Sequence, residues 1–128
     1  MKRLSVLLLL VALAGACAPA APREVTIEIH YSHYSMSQID APAGVPITFT
    51  IKNDDPIDHE WMIGDLAMHE RHRLGTELVH ASRPDEVTIP ALSTRTTTLT
   101  FPVPMTLMYM CHLPGHEQYG MVGMLIAK

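Results

Sequence analysis

The chain has 128 residues, with thirteen Asp and Glu against nine Lys and Arg and a formal net charge of −4 at neutral pH. That length accommodates one domain around a single hydrophobic core, and the acidic balance, with no Lys/Arg cluster to neutralise phosphates, argues against nucleic acid as a partner. The two cysteines are too few for a disulfide framework.

Met1-Lys2-Arg3 and the apolar run Leu4 to Leu13 have the basic n-region and short h-region of a secretory signal peptide. The run is shorter than the ~20 apolar residues of a spanning helix. We therefore read residues 1–16 as a signal peptide, 17–23 as an Ala/Pro tether and 24–128 as the folded domain of an exported protein. Ala14-Gly15-Ala16-Cys17 permits two processing routes, since small residues before a Cys resemble a bacterial lipoprotein box while Ala14-x-Ala16 fits ordinary signal cleavage. The lipoprotein reading is preferred, although Ala14 stands where such boxes usually have Leu. A lipid on Cys17 and the semi-extended tract to Pro22 then hold the domain at a periplasmic or outer membrane surface. Removing Lys2 and Arg3 makes the mature domain more acidic, which suits a basic protein partner.

Glu24 to His30 alternates apolar and polar residues, predicting a half-buried strand with Val25, Ile27 and Ile29 inward. Pro46 to Asn53 repeats the pattern with Ile47, Phe49 and Ile51, after a turn at Ala43-Gly44. Further strands are predicted at Glu60 to Ile63, Asp85 to Ile89 and the β-branched run Thr94 to Phe101. Leu107 to Met110 delivers Cys111, and Met124 to Ala127 closes the sheet. Gly64 to Pro84 reads as a loop with one helical stretch around Leu66 to Leu74. About seven to eight short strands with one loop or short-helix insertion predict an all-β, antiparallel Greek-key β-sandwich.

Chemistry concentrates in Cys111 to Met121, where a thiolate, an imidazole and a thioether follow the spacing C-x4-H-x4-M as Cys111, His116 and Met121. Soft sulfur beside nitrogen selects copper over magnesium, calcium or manganese, and a Cys–His set with a weak axial Met is that of blue-copper electron-transfer sites. The missing imidazole is assigned to His59, where an apolar strand resumes after the polar turn Asn53 to Asp58. The metal set is then His59, Cys111, His116 and Met121, holding one copper ion that cycles between Cu(I) and Cu(II). Metal coordination also accounts for an unpaired thiol in an oxidising compartment. The alternatives are a Cys17–Cys111 disulfide or an inert buried thiol, and zinc in place of copper, for which a Met ligand is unusual.

These residues, with Pro114-Gly115-His116 and Gly120-Met121-Val122-Gly123, resemble the cupredoxins, the small blue-copper proteins of the plastocyanin, azurin and rusticyanin kind. The resemblance covers nearly everything after the leader. It implies a monomeric one-electron carrier between protein redox partners, not an enzyme, in which Cys111 is the strongest ligand and Met121 the axial one. It further implies that the His116 edge reaches the surface within an apolar patch around Leu113 and Pro114. Glu60 stands where many relatives have Asn, Asp or Ser, so the tie between the two ligand loops is expected to differ. His112 is similar in position to a cluster-reaching His of multicopper oxidases, but the chain has no His-x-His pair, and His112 is expected to be a surface imidazole or a neighbour of the ligands.

Two other groups raise a rival reading, a periplasmic copper carrier or scavenger that hands on its metal. His69 and His72, with Met68 and His80, lie at helical spacing, and His30, His33 and Met36 flank the first strand. The plain expectation for both is a solvated loop and a polar turn, as it is core filling for Met105, Met108 and Met110.

Overall fold

Period-two alternation carries directly into two facing sheets. The computed structural model describes residues 23–76 and 83–128; the leader, the tether with Cys17, and His80 lie outside the described residues. In chain order the elements are β1 (Arg23–His30), β2 (His33–Tyr34), β3 (Gln38–Ala41), β4 (Pro46–Asn53), β5 (His59–Gly64), α1 (Leu66–Leu74), β6 (Glu86–Ile89), β7 (Thr94–Thr100), β8 (Met105–Met110) and β9 (Val122–Ala127). One sheet runs β2-β1-β4-β7, the other β3-β9-β8-β5-β6. Between them lies a core of Ile27, Ile29, Ile47, Phe49 and Ile51 from the first sheet and Ile39, Trp61, Ile63, Tyr109 and Leu125 from the second. Each fully buried apolar side chain of this size contributes roughly 2 kcal/mol.

The β-sandwich expected from the sequence is present, with two additions. Both sheets are mixed: β1 pairs with β4 in parallel, as β3 does with β9, while the remaining strand pairs are antiparallel. β9 therefore lies between β3 and β8 rather than at an edge. The short strands β2 and β3 are also new. The β1–β2 hairpin turns on Tyr31 and Ser32, both with positive φ (51° and 55°), a conformation that normally calls for Asn or Gly. No such residue marks the turn in the sequence.

Helix α1 is defined by its ends. The Asp65 side chain caps it by accepting from the Met68 N–H at 2.7 Å. Gly75 closes it in the left-handed region at φ 62°, its N–H donating to the His72 carbonyl. The helix lies over β5, and all six residues of that strand are buried.

A close approach in the second sheet makes Gly123 indispensable. It pairs with Tyr109 across β8 and β9, and a Cβ at this position would overlap the Tyr109 ring, whose hydroxyl is held by the Met36 carbonyl. Gly123→Ala is expected to lower the unfolding free energy by about 2 kcal/mol, read as a lower midpoint in urea unfolding; an unchanged midpoint would show that the ring moves at no cost.

Candidate metal centre

His59 opens β5, and Cys111 directly follows β8, its antiparallel neighbour, so strand pairing alone brings the two together. From Cys111 the chain folds back on itself. The Cys111 N–H donates to the Met121 carbonyl at 3.1 Å, the Met121 N–H to the His116 carbonyl at 3.0 Å, and the His116 N–H to the Leu113 carbonyl at 3.0 Å. Gly115 and Gly120 make the tight corners at φ 88° and 92°.

The outcome is a convergence of donors. Cys111 Sγ lies 3.2 Å from His116 Nδ1, which lies 3.2 Å from His59 Nδ1. These ligand atoms all fall within 4.8 Å of one another. His59, Cys111 and Met121 are each 0% exposed, and Met121 packs in the same core cluster as Cys111. All four residues read from the sequence are thus brought to one end of the sandwich.

Electrostatics leave the donors ready for a cation. Asp55 Oδ2 lies 2.9 Å from His59 Nε2, so in the neutral ring that nitrogen carries the proton and the Nδ1 lone pair faces Cys111 and His116. Burial raises the pKa of Asp55, but N–H donors from Ser32 and Tyr31 and the bond to His59 outweigh it, and the carboxyl is held below its ordinary range. Burial, followed by the neighbouring His59, lowers His116 from the usual imidazole value. Burial raises the Cys111 thiol despite N–H bonds to its sulfur from Glu60, at 3.4 Å, and Leu113. A buried thiol of this kind becomes a good ligand when a metal displaces its proton. A thiolate and two imidazole nitrogens gathered this closely, with the Met121 side chain buried in the same cluster, are a donor set that suits copper.

Asp55 is the functional residue that sequence reading missed. Its carboxylate also accepts the Tyr31 and Ser32 N–H groups, each at 2.7 Å. Asn53 positions it by accepting the Asp55 N–H at 2.9 Å while donating to the carbonyls of Ile57, Ile89 and Pro90. The signal available was the i, i+4 spacing of Asp55 and His59 in a polar turn.

Glu60 ties the strands, its Oε2 accepting the His112 N–H at 3.2 Å, and two other placements differ from expectation. The His112 side chain is 4% exposed, so the surface placement is corrected: β5, α1 and the ligand loop enclose it, and its Nε2 lies 2.9 Å from His69 Nδ1. His69 and His72 are likewise buried against β5 and β8 rather than solvated. His30 and His33 face each other across the hairpin but join no group of three metal donors among the described residues. Met110 and Tyr109 are buried, and Met105 packs on the core.

Comparison with known proteins gives a consistent picture. A family model described as a cupredoxin-like domain matches residues 3–81, which includes His59 and ends before Cys111. The copper-resistant cuproprotein CopI of Pseudomonas aeruginosa is 25% identical over 146 aligned positions, covering 88% of this chain and 80% of that protein. Similar solved structures include auracyanin B (TM-score 0.66, 20% identity, 87% of this chain and 91% of that one). Auracyanin A, a "blue" copper protein of Chloroflexus aurantiacus, superposes with TM-score 0.65 at 19% identity, over 84% of this chain and 100% of that one. Dithionite-reduced auracyanin of Roseiflexus castenholzii gives 0.67 at 21%, over 87% and 99%.

Asp55→Ala strands two turn N–H groups and releases the His59 ring, and is expected to cost the metal-free chain about 3 kcal/mol of stability. Asp54→Ala, which loses only an exposed pair with Lys52, should cost clearly less. Equal losses in denaturant unfolding would remove Asp55 from this structural role.

Proposed function

The chain belongs to the family of cupredoxin-like domains, and from that premise we propose that it is a mononuclear blue-copper protein carrying one electron at a time between protein partners outside the cytoplasm. The observation that carries this reading is the convergence of His59 Nδ1, Cys111 Sγ and His116 Nδ1 beside the buried Met121. When bound, copper supplies a Cu(I)/Cu(II) couple. The chain's part is to hold a compromise geometry, so that neither oxidation state demands rearrangement.

Rigidity is built from the backbone. Asp55 fixes the His59 ring, the Glu60 and Leu113 N–H groups point at the Cys111 sulfur, and three hydrogen bonds close the ligand loop. His116 is the least buried of the four ligands and adjoins Leu113 and Pro114, which makes its ring edge the exit for the electron. The acidic composition suits a basic docking partner. In this reading residues 1–16 export the chain, a lipid on Cys17 holds it at the membrane, and the domain works as a monomer. Four protein donors on one ion would leave no coordination position for a substrate, and we therefore read the domain as a carrier rather than an enzyme.

A second reading, a copper carrier or scavenger, draws on the likeness to a protein named for copper resistance. It requires release of a metal three of whose four proposed ligands, His59, Cys111 and Met121, are fully buried, and electron transfer is preferred on that ground.

Titration of the purified domain with Cu(II), followed by ascorbate, should give an intense visible band that saturates at one copper and bleaches reversibly. Cys111→Ser should abolish the band and leave the β-fold intact by circular dichroism; a retained band would refute the assignment. Colourless binding of several coppers would favour the carrier. Met121→Leu removes the axial thioether and should keep the colour while raising the reduction potential. A potential that does not move would exclude Met121 as a ligand.

A further inference from the structure

Successive residues of a strand point to opposite faces. The strands that bring His59 and Cys111 together on one face therefore present Glu60 and His112 on the other. Helix α1 covers that outer face. A helix docked on a sheet normally buries an apolar stripe, but here the buried residue of the helix is His69, and the His72 side chain is 7% exposed. Imidazoles and carboxylates share this interface with Met62 and Met68.

Three of them converge. His72 Nε2 lies 3.4 Å from Glu60 Oε2, and its Nδ1 lies 4.0 Å from Glu86 Oε1. One ligand atom from each of Glu60, His72 and Glu86 falls within 4.8 Å of the others. Glu60 is 5% and Glu86 1% exposed. Glu86 sits opposite Met62 in the β5–β6 ladder, so it shares the face that Glu60 and Met62 occupy. The His112 ring packs 4.8 Å from that of His72, and a cavity of about 240 Å³ lined by His72, His112 and Glu117 opens beside them.

We propose that Glu60, His72 and Glu86 form a second metal site, distinct from the Cys111 centre, for a divalent ion that takes oxygen and nitrogen donors, with zinc(II) as the reference ion. Two carboxylates bring a charge that cancels a dication, and the set has no sulfur to prefer Cu(I). Zinc bonds to such donors run about 2.0–2.2 Å, so binding draws the three inward by small rotations of the two glutamates. The cavity meets the three donors only at His72, which is the side from which an ion would enter. His69, which lies against the Met108 carbonyl and His112, walls the site from within. The competing arrangement is a protonated His72 held between the two carboxylates, which binds no metal.

Zinc(II) uptake by the full domain carrying Cys111→Ser, stripped with a chelator, distinguishes the two. Calorimetry and metal analysis after gel filtration should find one zinc, and His72→Ala or Glu86→Gln added to this background should weaken binding at least about tenfold. No uptake would overturn the site and leave the ion pair. Uptake undiminished by either substitution would place the zinc elsewhere and overturn it equally. Should His72→Ala lose its circular-dichroism signature, the isosteric Glu86→Gln decides. The thiolate–copper band of the chain carrying Glu86→Gln alone reads the Cys111 centre separately, so failure at one centre is not mistaken for failure at the other.

Discussion

The carboxylate of Asp55 braces the His59 side of the candidate metal centre. It receives two N–H groups from the β1–β2 turn and holds the His59 ring, while its own peptide accepts at the carbonyl from Leu92 and donates to Asn53. The loop between β6 and β7 is joined to the same polar turn by Asp58, which accepts the Ala91 N–H. Left-handed backbone at Tyr31 and Ser32 costs roughly 1–2 kcal/mol per residue. The two hydrogen bonds that these residues give a charged acceptor return about 1.5–3 kcal/mol each, which offsets the strain in the turn. The His59 ring is thus held in place by the protein alone.

The ligand loop has a second anchor on its other side. Arg73 from the last turn of α1 grips Glu117 through two nitrogens, at 2.6 and 3.0 Å, and that pairing holds the Glu117 carboxyl below its ordinary value. The helix thereby serves both faces of β5. It covers Glu60 and His112 from outside, and through Arg73 it steadies the residue next to His116. Burial, aided by His69 and His72, drives the His112 ring down to about 4, so at neutral pH the imidazole next to Cys111 is uncharged.

Much of this was legible in the sequence because it was local. β1, β4 and β7 stand out because one face of each meets a core, and the C-x4-H-x4-M loop stands out because its ligands are close in the chain. His59 could be assigned because an apolar strand resumes at it. The β1–β2 turn could not, because Tyr31 and Ser32 are held in a glycine-like conformation by a carboxylate more than twenty residues away. The parallel pairings could not either, since alternation tells which face is buried and not which neighbour a strand takes. Burial of His69, His72 and His112 depends on a helix whose own pattern is polar. Nothing in a polar nine-residue helix announces that it will close over a sheet.

The position of β9 governs the order in which the molecule can be made. β3 is synthesised early, yet its ladder partner is β9, and roughly eighty residues separate the two in the chain. A polypeptide emerging from its amino end can assemble β1 and β4 while the inner face of β3 still has no neighbour. The carbonyl that receives the Cys111 N–H belongs to Met121, just before that late strand. In the folded chain the backbone that encloses the sulfur is thus tied to the last strand of the sheet, and closing the second sheet and shielding the thiol draw on the same segment.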